Sequence, residues 1–223
     1  MRFKLACILF TTYALAYISI WGQDTPVSQK KAHFFNTFVP KAEKTRKRWV
    51  EQYHQVEELL QKKEKTSREK AILTRLYKSY KVSTPDSLLM ALKPIPISIT
   101  LAQAIVESAW GTSRFYKEAN NAFGAWSFDR SEPRIVAKKK REGKGVWLRK
   151  YNNLEESIWD HYNILARGAA YARFRTILWE QKPVNLKALV YSLNKYSEKG
   201  EKYGILLWNI INYNNLTQYD QKI

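Results

Sequence analysis

Cysteine is almost missing from this chain: Cys7 is the single one in 223 residues, so neither an intramolecular disulfide nor a cysteine-rich zinc site can be built. Histidine is nearly as scarce. His33, His54 and His161 stand at no ligand spacing, which argues against a histidine metal centre, and neither a metal nor a cofactor is expected. Negative charge is in short supply too, with 20 acidic residues facing 38 Lys and Arg for a net charge of +18. Such an imbalance implies a polyanionic surrounding: nucleic acid, anionic lipid headgroups or cell-wall polymers. The basic residues are spread from Lys30 to Lys222 without a nucleic-acid motif, so a nucleic-acid partner is not expected. What the chain does have is apolar material, 45% hydrophobic and 14% aromatic residues, enough to offset the ordering entropy of one main core.

Arg2 and Lys4 precede an apolar run from Leu5 to Trp21, and polar sequence begins at Gln23. That order matches either a secretory signal peptide (1–22) or an N-terminal membrane anchor formed by residues 5–21, and the run is at the lower limit for spanning a bilayer. Either alternative implies export to the periplasm or cell envelope. Ala14-Leu15-Ala16 offers one cleavage site, and the position after Gly22 another.

Residues 28–82 read as a basic helical segment, in which Val50, Tyr53, Val56, Leu59 and Leu60, then Ile72, Leu73, Leu76, Tyr77 and Tyr80, recur at helical spacing. Ser83-Thr84-Pro85-Asp86 and Lys93-Pro94-Ile95-Pro96 punctuate this pattern and predict helices near 46–63, 67–80 and 85–92. Thr100 to Gly111 reads as a further helix, with Thr100 as N-cap, Gln103 completing a capping box and Gly111 at its end. Between Ala122 and Tyr151 the pattern changes to short β-type stretches, with strands at Arg134–Lys139 and Val146–Tyr151 around a Lys-Arg-Glu-Gly-Lys-Gly turn. Helical periodicity then returns through Ile158 and Leu165, Leu186 and Leu193, and Ile205 and Ile211. The fold class is therefore α+β, mainly α, with a small antiparallel β-lobe.

On the helix from Thr100, spacing of three and four places Gln103, Glu107, Trp110 and Gly111 on one stripe. A carboxylate near a helix C-terminus faces the negative end of the macrodipole, and partial apolar cover adds to this; both raise its pKa. A general acid needs such a shift, because an ordinary Glu is already ionised at neutral pH.

The words around Glu107 are more specific than its spacing. Ala102-Gln-Ala-Ile-Val-Glu-Ser-Ala-Trp-Gly-Thr-Ser-Arg-Phe115, then Glu118-Ala-Asn-Asn-Ala-Phe-Gly124 and Trp126, resemble the glucosaminidase domain of glycoside hydrolase family 73, especially the bacterial Bax proteins. The resemblance continues through Asp160-His-Tyr162 and Leu193-Asn-Lys-Tyr-Ser-Glu-Lys-Gly-Glu-Lys-Tyr203 to Tyr219-Asp220, covering about 95 to 220. It implies a lysozyme-like domain over 83–223, preceded by the helical extension, that hydrolyses the β-1,4 bond after N-acetylglucosamine in peptidoglycan. By the same resemblance Glu107 is the acid that protonates the glycosidic oxygen, Trp110 and Phe123 line the cleft, Asn121 stands beside it, and Tyr196 approaches the cut sugar.

Glycosidases generally use a second carboxylate. The β-lobe offers Asp129, Glu132 and Glu142, of which Glu132 is nearest to the family position; assistance by the substrate's own N-acetyl group is the alternative. The implied partners are peptidoglycan glycan strands, with anionic cell-wall polymers or a membrane surface attracting the basic chain. Two other functions stay open from the sequence: an amidase-type wall hydrolase and a non-catalytic wall-binding module.

Overall fold

The computed structural model describes residues 26–137 and 145–220; the Leu5–Trp21 run and Glu142 lie outside them. Several helix starts follow local capping chemistry. Helix α1 spans Val27–Gln61. Helix α2 (Ser67–Tyr80) opens on a reciprocal capping box between Thr66 and Glu69, and α3 (Pro85–Leu92) on one between Thr84 and Ser87 with Pro85 in the first turn, so the orphan N–H groups are satisfied as the sequence suggests. The expected bounds of α2 and α3 agree with those observed.

Helix α1 begins far ahead of the expected residue 46. Its stripe continues backwards through Thr45, Ala42, Phe38 and Phe34, all buried. Pro40 lies inside it, and an interior proline costs about 3 kcal/mol. Each buried large apolar side chain returns roughly 1.5–3 kcal/mol, so Phe34, Phe38 and Trp49 together outweigh the proline.

Helix α4 (Ile97–Ser108) is the centre of the molecule and is buried on nearly every side, from Ile97 to Ile105 and again at Ser108. It starts three residues before the expected Thr100, which is itself buried with its hydroxyl facing that of Tyr162 at 3.4 Å. The capping group comes from across the chain instead. Asp220 accepts from Ser98 N at 2.9 Å and from Ser98 Oγ at 2.7 Å, setting a carboxylate at the positive end of the helix.

Helix α5 (Arg114–Ala119) leads to a two-stranded antiparallel hairpin, β1 (Arg134–Val136) and β2 (Trp147–Arg149), with Arg134 opposite Arg149 and Ile135 opposite Leu148. The strands are shorter than expected. An isolated bridge from Trp126 to Leu148 adds the preceding loop to this lobe. Helices α6 (Leu154–Arg167), α7 (Ala172–Glu180), α8 (Leu186–Tyr191) and α9 (Glu201–Tyr213) complete the α side. α1 packs on α3, α4 and α6, and α9 packs on α4 and α8. One continuous core runs from Phe34 through α4 to Leu216, so α1 shares its burial with the rest of the chain. Among the described residues no single helix is long and apolar enough to cross a membrane.

Candidate active site

Glu107 occupies the last turn of α4 and is half-buried. The helix stops at Ala109, and Ala109, Trp110 and Gly111 all take positive φ values of 50, 62 and 72°. Left-handed backbone at a non-glycine residue costs about 1–2 kcal/mol, and here it is held by Trp110 N donating to Ile105 O, Gly111 N to Ser108 Oγ, and Ser113 N to Ser108 O. The turn removes Trp110 from the Glu107 stripe that uninterrupted helical spacing predicts. Its ring packs edge-on against Phe34 and Phe35 of α1, with centroids 5.8 and 5.7 Å away, and Lys31 Nζ sits 4.9 Å above it. There it borders a cavity of about 580 Å³ shared with Lys30, His33, Tyr116 and Lys117, whose lining does not include Glu107.

The two oxygens of Glu107 have different surroundings. Oε1 accepts from the Tyr203 hydroxyl of α9 at 2.9 Å. Oε2 accepts no hydrogen bond from the described residues and faces Gly124, where an added Cβ would stand 4.0 Å from it. Gly124 has φ +66°, a conformation that glycine adopts without a steric penalty. Burial pushes the Glu107 carboxyl above the usual carboxylate range, opposed by the Tyr203 hydrogen bond and the Lys199 charge.

Behind Tyr203 lies a buried polar chain. Gln103 Nε2 donates to Tyr203 Oη at 3.3 Å, Gln103 Oε1 stands 3.1 Å from His161 Nε2, and His161 Nδ1 lies 3.4 Å from Tyr196 Oη. The His161 ring is stacked flat on Phe123, with centroids 3.9 Å apart and planes 2° from parallel. Burial drives its pKa down to about 3, so it is a neutral imidazole.

The other expected site residues fall in distinct places. Phe123 is only 3% exposed, with His161 on one face and the Phe38 ring nearby; it offers a sugar no open face and shapes the site from beneath. Asn121 is buried and works as a staple: its Nδ2 donates to the carbonyls of Ala125 and Arg149, and its Oδ1 accepts from Ala125 N. It thereby fixes the Ala122–Gly124 loop against β2. Tyr196 stacks on Tyr203 with centroids 5.5 Å apart, its hydroxyl turned inward toward Phe123 O and His161.

Glu132 sits at the base of the hairpin, its Oε2 3.4 Å from Arg149 Nε and its Oε1 buried without a partner. Arg149 also donates to Asp160 of α6 at 2.7 Å, and the Tyr151 hydroxyl donates to the same oxygen at 2.7 Å. The β-lobe is thus tied to the helical side through one guanidinium. Asp129 is exposed and caps Ser131, whose hydrogen bonds hold its carboxyl below the usual range. Among the described residues no cluster of three His, Cys, Asp or Glu is arranged to hold a metal. Sequence spacing misses Tyr203, Asp160 and the role of His161.

The model of the family described as mannosyl-glycoprotein endo-beta-N-acetylglucosaminidase matches residues 87–216, a stretch that holds Glu107, Glu132, His161, Tyr196 and Tyr203. The exo-glucosaminidase LytG of Bacillus subtilis (strain 168) is 39% identical over 79 residues, covering 33% of this chain and 28% of its own length. The protein bax of Escherichia coli (strain K12) is 28% identical over 156 residues, covering 63% of this chain and 53% of its own. The chain therefore spans about half, or less, of the length of these curated relatives. In three dimensions the chain is similar to the catalytic domain of the autolysin Auto from Listeria monocytogenes, with a TM-score of 0.53 at 19% identity over 95% of this chain and 97% of the other. The fold shared with that domain is the mainly helical, lysozyme-like architecture with a small antiparallel lobe. With a matched stretch of more than half its residues, Glu107 among them, this chain belongs to the glucosaminidase family.

Proposed function

We propose that this protein is a peptidoglycan hydrolase of the endo-β-N-acetylglucosaminidase type, with Glu107 as its general acid. The observation that carries the reading is the carboxyl itself: raised by burial, anchored through Oε1 and, among the described residues, without a hydrogen-bond donor at Oε2. A proton on Oε2 passes to the glycosidic oxygen as the C1–O bond breaks, and a water that adds to C1 returns a proton to the site. The family description, an endo-beta-N-acetylglucosaminidase, and the name of LytG, an exo-glucosaminidase, support a glycan of N-acetylglucosamine as substrate. Residues 83–223 form the glucosaminidase domain in this reading, residues 28–82 its helical lead-in, and residues 5–21 an export signal or anchor that brings it to the cell envelope.

Glu132 is the candidate for the second carboxylate. To act on water it must exchange its contact with Arg149. Replacing it tests this: Glu132→Gln is expected to lower kcat by about 10²-fold or more, in the range for a lost acid–base group. A loss below tenfold assigns the role to the substrate's N-acetyl group. Muropeptide mass spectrometry tests the function as a whole. Fragments ending in reducing N-acetylglucosamine support it, release of intact stem peptides makes the protein an amidase, and sacculus binding without release makes it a binding module.

A further inference from the structure

The chain that ends at Glu107 has a direction. Tyr203 has one proton, and a carboxylate oxygen at 2.9 Å can only accept it. The Tyr203 oxygen in turn takes an N–H from Gln103, which leaves Gln103 Oε1 as an acceptor facing His161 Nε2. His161 must then carry its proton on Nε2 and leave Nδ1 as an acceptor 3.4 Å from the Tyr196 hydroxyl, whose one proton also faces Phe123 O at 3.3 Å. Gln103, His161 and Tyr203 are all fully or almost fully buried, where an unmatched donor or acceptor costs about 1–3 kcal/mol. Reversing the chain takes three linked changes: a flip of the Gln103 amide, a tautomer switch in His161 and a turn of the Tyr203 hydroxyl.

We propose that His161 and Gln103, acting through Tyr203, are positioning residues that keep the transferable proton of Glu107 on Oε2, the oxygen facing Gly124. With Oε1 occupied by an incoming hydrogen bond, a proton taken up by Glu107 has Oε2 as its place. Among the described residues that oxygen is the one without a hydrogen-bond donor, so the acid is presented outward each time it is reloaded. His161 and Gln103 touch neither substrate nor the reacting atoms; they act through the direction of the Tyr203 hydroxyl. The inference rests on Glu107 being the general acid. The groups facing Glu107 from the packed elements are Tyr203 of α9, Tyr196 and Lys199 of the preceding turn, and Tyr171 after α6.

The test uses the full chain with ¹³C-labelled glutamate carboxyls, the Glu107 signal being assigned by its loss in Glu107→Gln, together with kcat, KM and the pH profile on glycan strands. Tyr203→Phe keeps the ring and removes the donor that favours the charged carboxylate, so the Glu107 titration and the alkaline limb of kcat/KM both move up by about one pH unit. kcat falls by about tenfold or more while KM changes less than about twofold. His161→Phe keeps the stack on Phe123 but frees the Gln103 amide and shifts both readouts in the same direction. His161→Gln returns an N–H to Gln103 and recovers most of the loss. Unmoved titration in Tyr203→Phe, or equal impairment in His161→Phe and His161→Gln, overturns the proposal. Should a histidine variant fail to fold, Gln103→Met beside Tyr203→Phe decides by the same readouts. The titration needs no turnover, so an active Glu107→Gln enzyme would refute the acid assignment separately.

Discussion

His161 sits beneath the site with its imidazole held neutral, and this has a cost in stability at low pH. In the unfolded chain it titrates near the ordinary 6.5 and in the fold near 3, so between those values the unfolded state binds more protons. Its contribution is complete above about 6.5 and is lost as the pH falls toward about 3, by at most about 1.4 kcal/mol per pH unit. Glu107, with its folded pKa raised, contributes with the opposite sign just above 4.5. Urea unfolding at pH 7 and pH 5 should therefore be compared for His161→Phe and its parent in a Glu107→Gln background. The parent is expected to lose more stability than the variant, and equal losses would mean that His161 is not held neutral. At this scale the place of Glu107 near its helix end was legible, because the carboxylate, the end of its helix and the flanking Asn-Asn-Ala-Phe-Gly124 are local. Tyr203 and His161 were not, because their bonds to Glu107 and Gln103 span 96 and 58 positions, and such separations leave no periodic trace.

Among the elements, α4 carries the site, and its two ends are secured in different ways. The C-terminal end is stopped by three left-handed residues that aim Trp110 at α1 and leave Glu107 in the final turn. The N-terminal end follows Pro96 with no side-chain cap of its own and depends on Asp220. Replacing Asp220 with alanine removes two charge-assisted bonds from buried Ser98, and the expected loss is about 2 kcal/mol. Thermal unfolding checks this, and an unchanged midpoint would show that the cap contributes nothing. The sequence predicted α2 and α3 to the residue because their caps are neighbours of the helices they start. It misplaced the start of α4 because that cap lies 122 positions away, and it started α1 too late because the recurring apolar residues it followed begin at Val50, whereas the buried stripe runs from Phe34.

For the whole molecule, one core joins α1 to the family stretch, and the chain carries a net charge of +18. Anionic wall polymers or lipid surfaces would concentrate such a protein by long-range attraction, which salt screens over about 10 Å at 0.1 M. Activity on sacculi is expected to fall several-fold between about 50 and 500 mM salt, mainly through KM; an unchanged KM would remove electrostatic recruitment from the account. The α+β class and the β-lobe were readable from the change of period between Ala122 and Tyr151, whereas the Arg149 tie from Glu132 to Asp160 depended on the folded hairpin. The most direct measurement of the central claim is muropeptide analysis of sacculi digested by the parent protein beside Glu107→Gln. The account predicts soluble fragments with reducing-end N-acetylglucosamine from the parent and a loss of about 10²-fold or more in the variant. Equal release of those fragments by both proteins would contradict it.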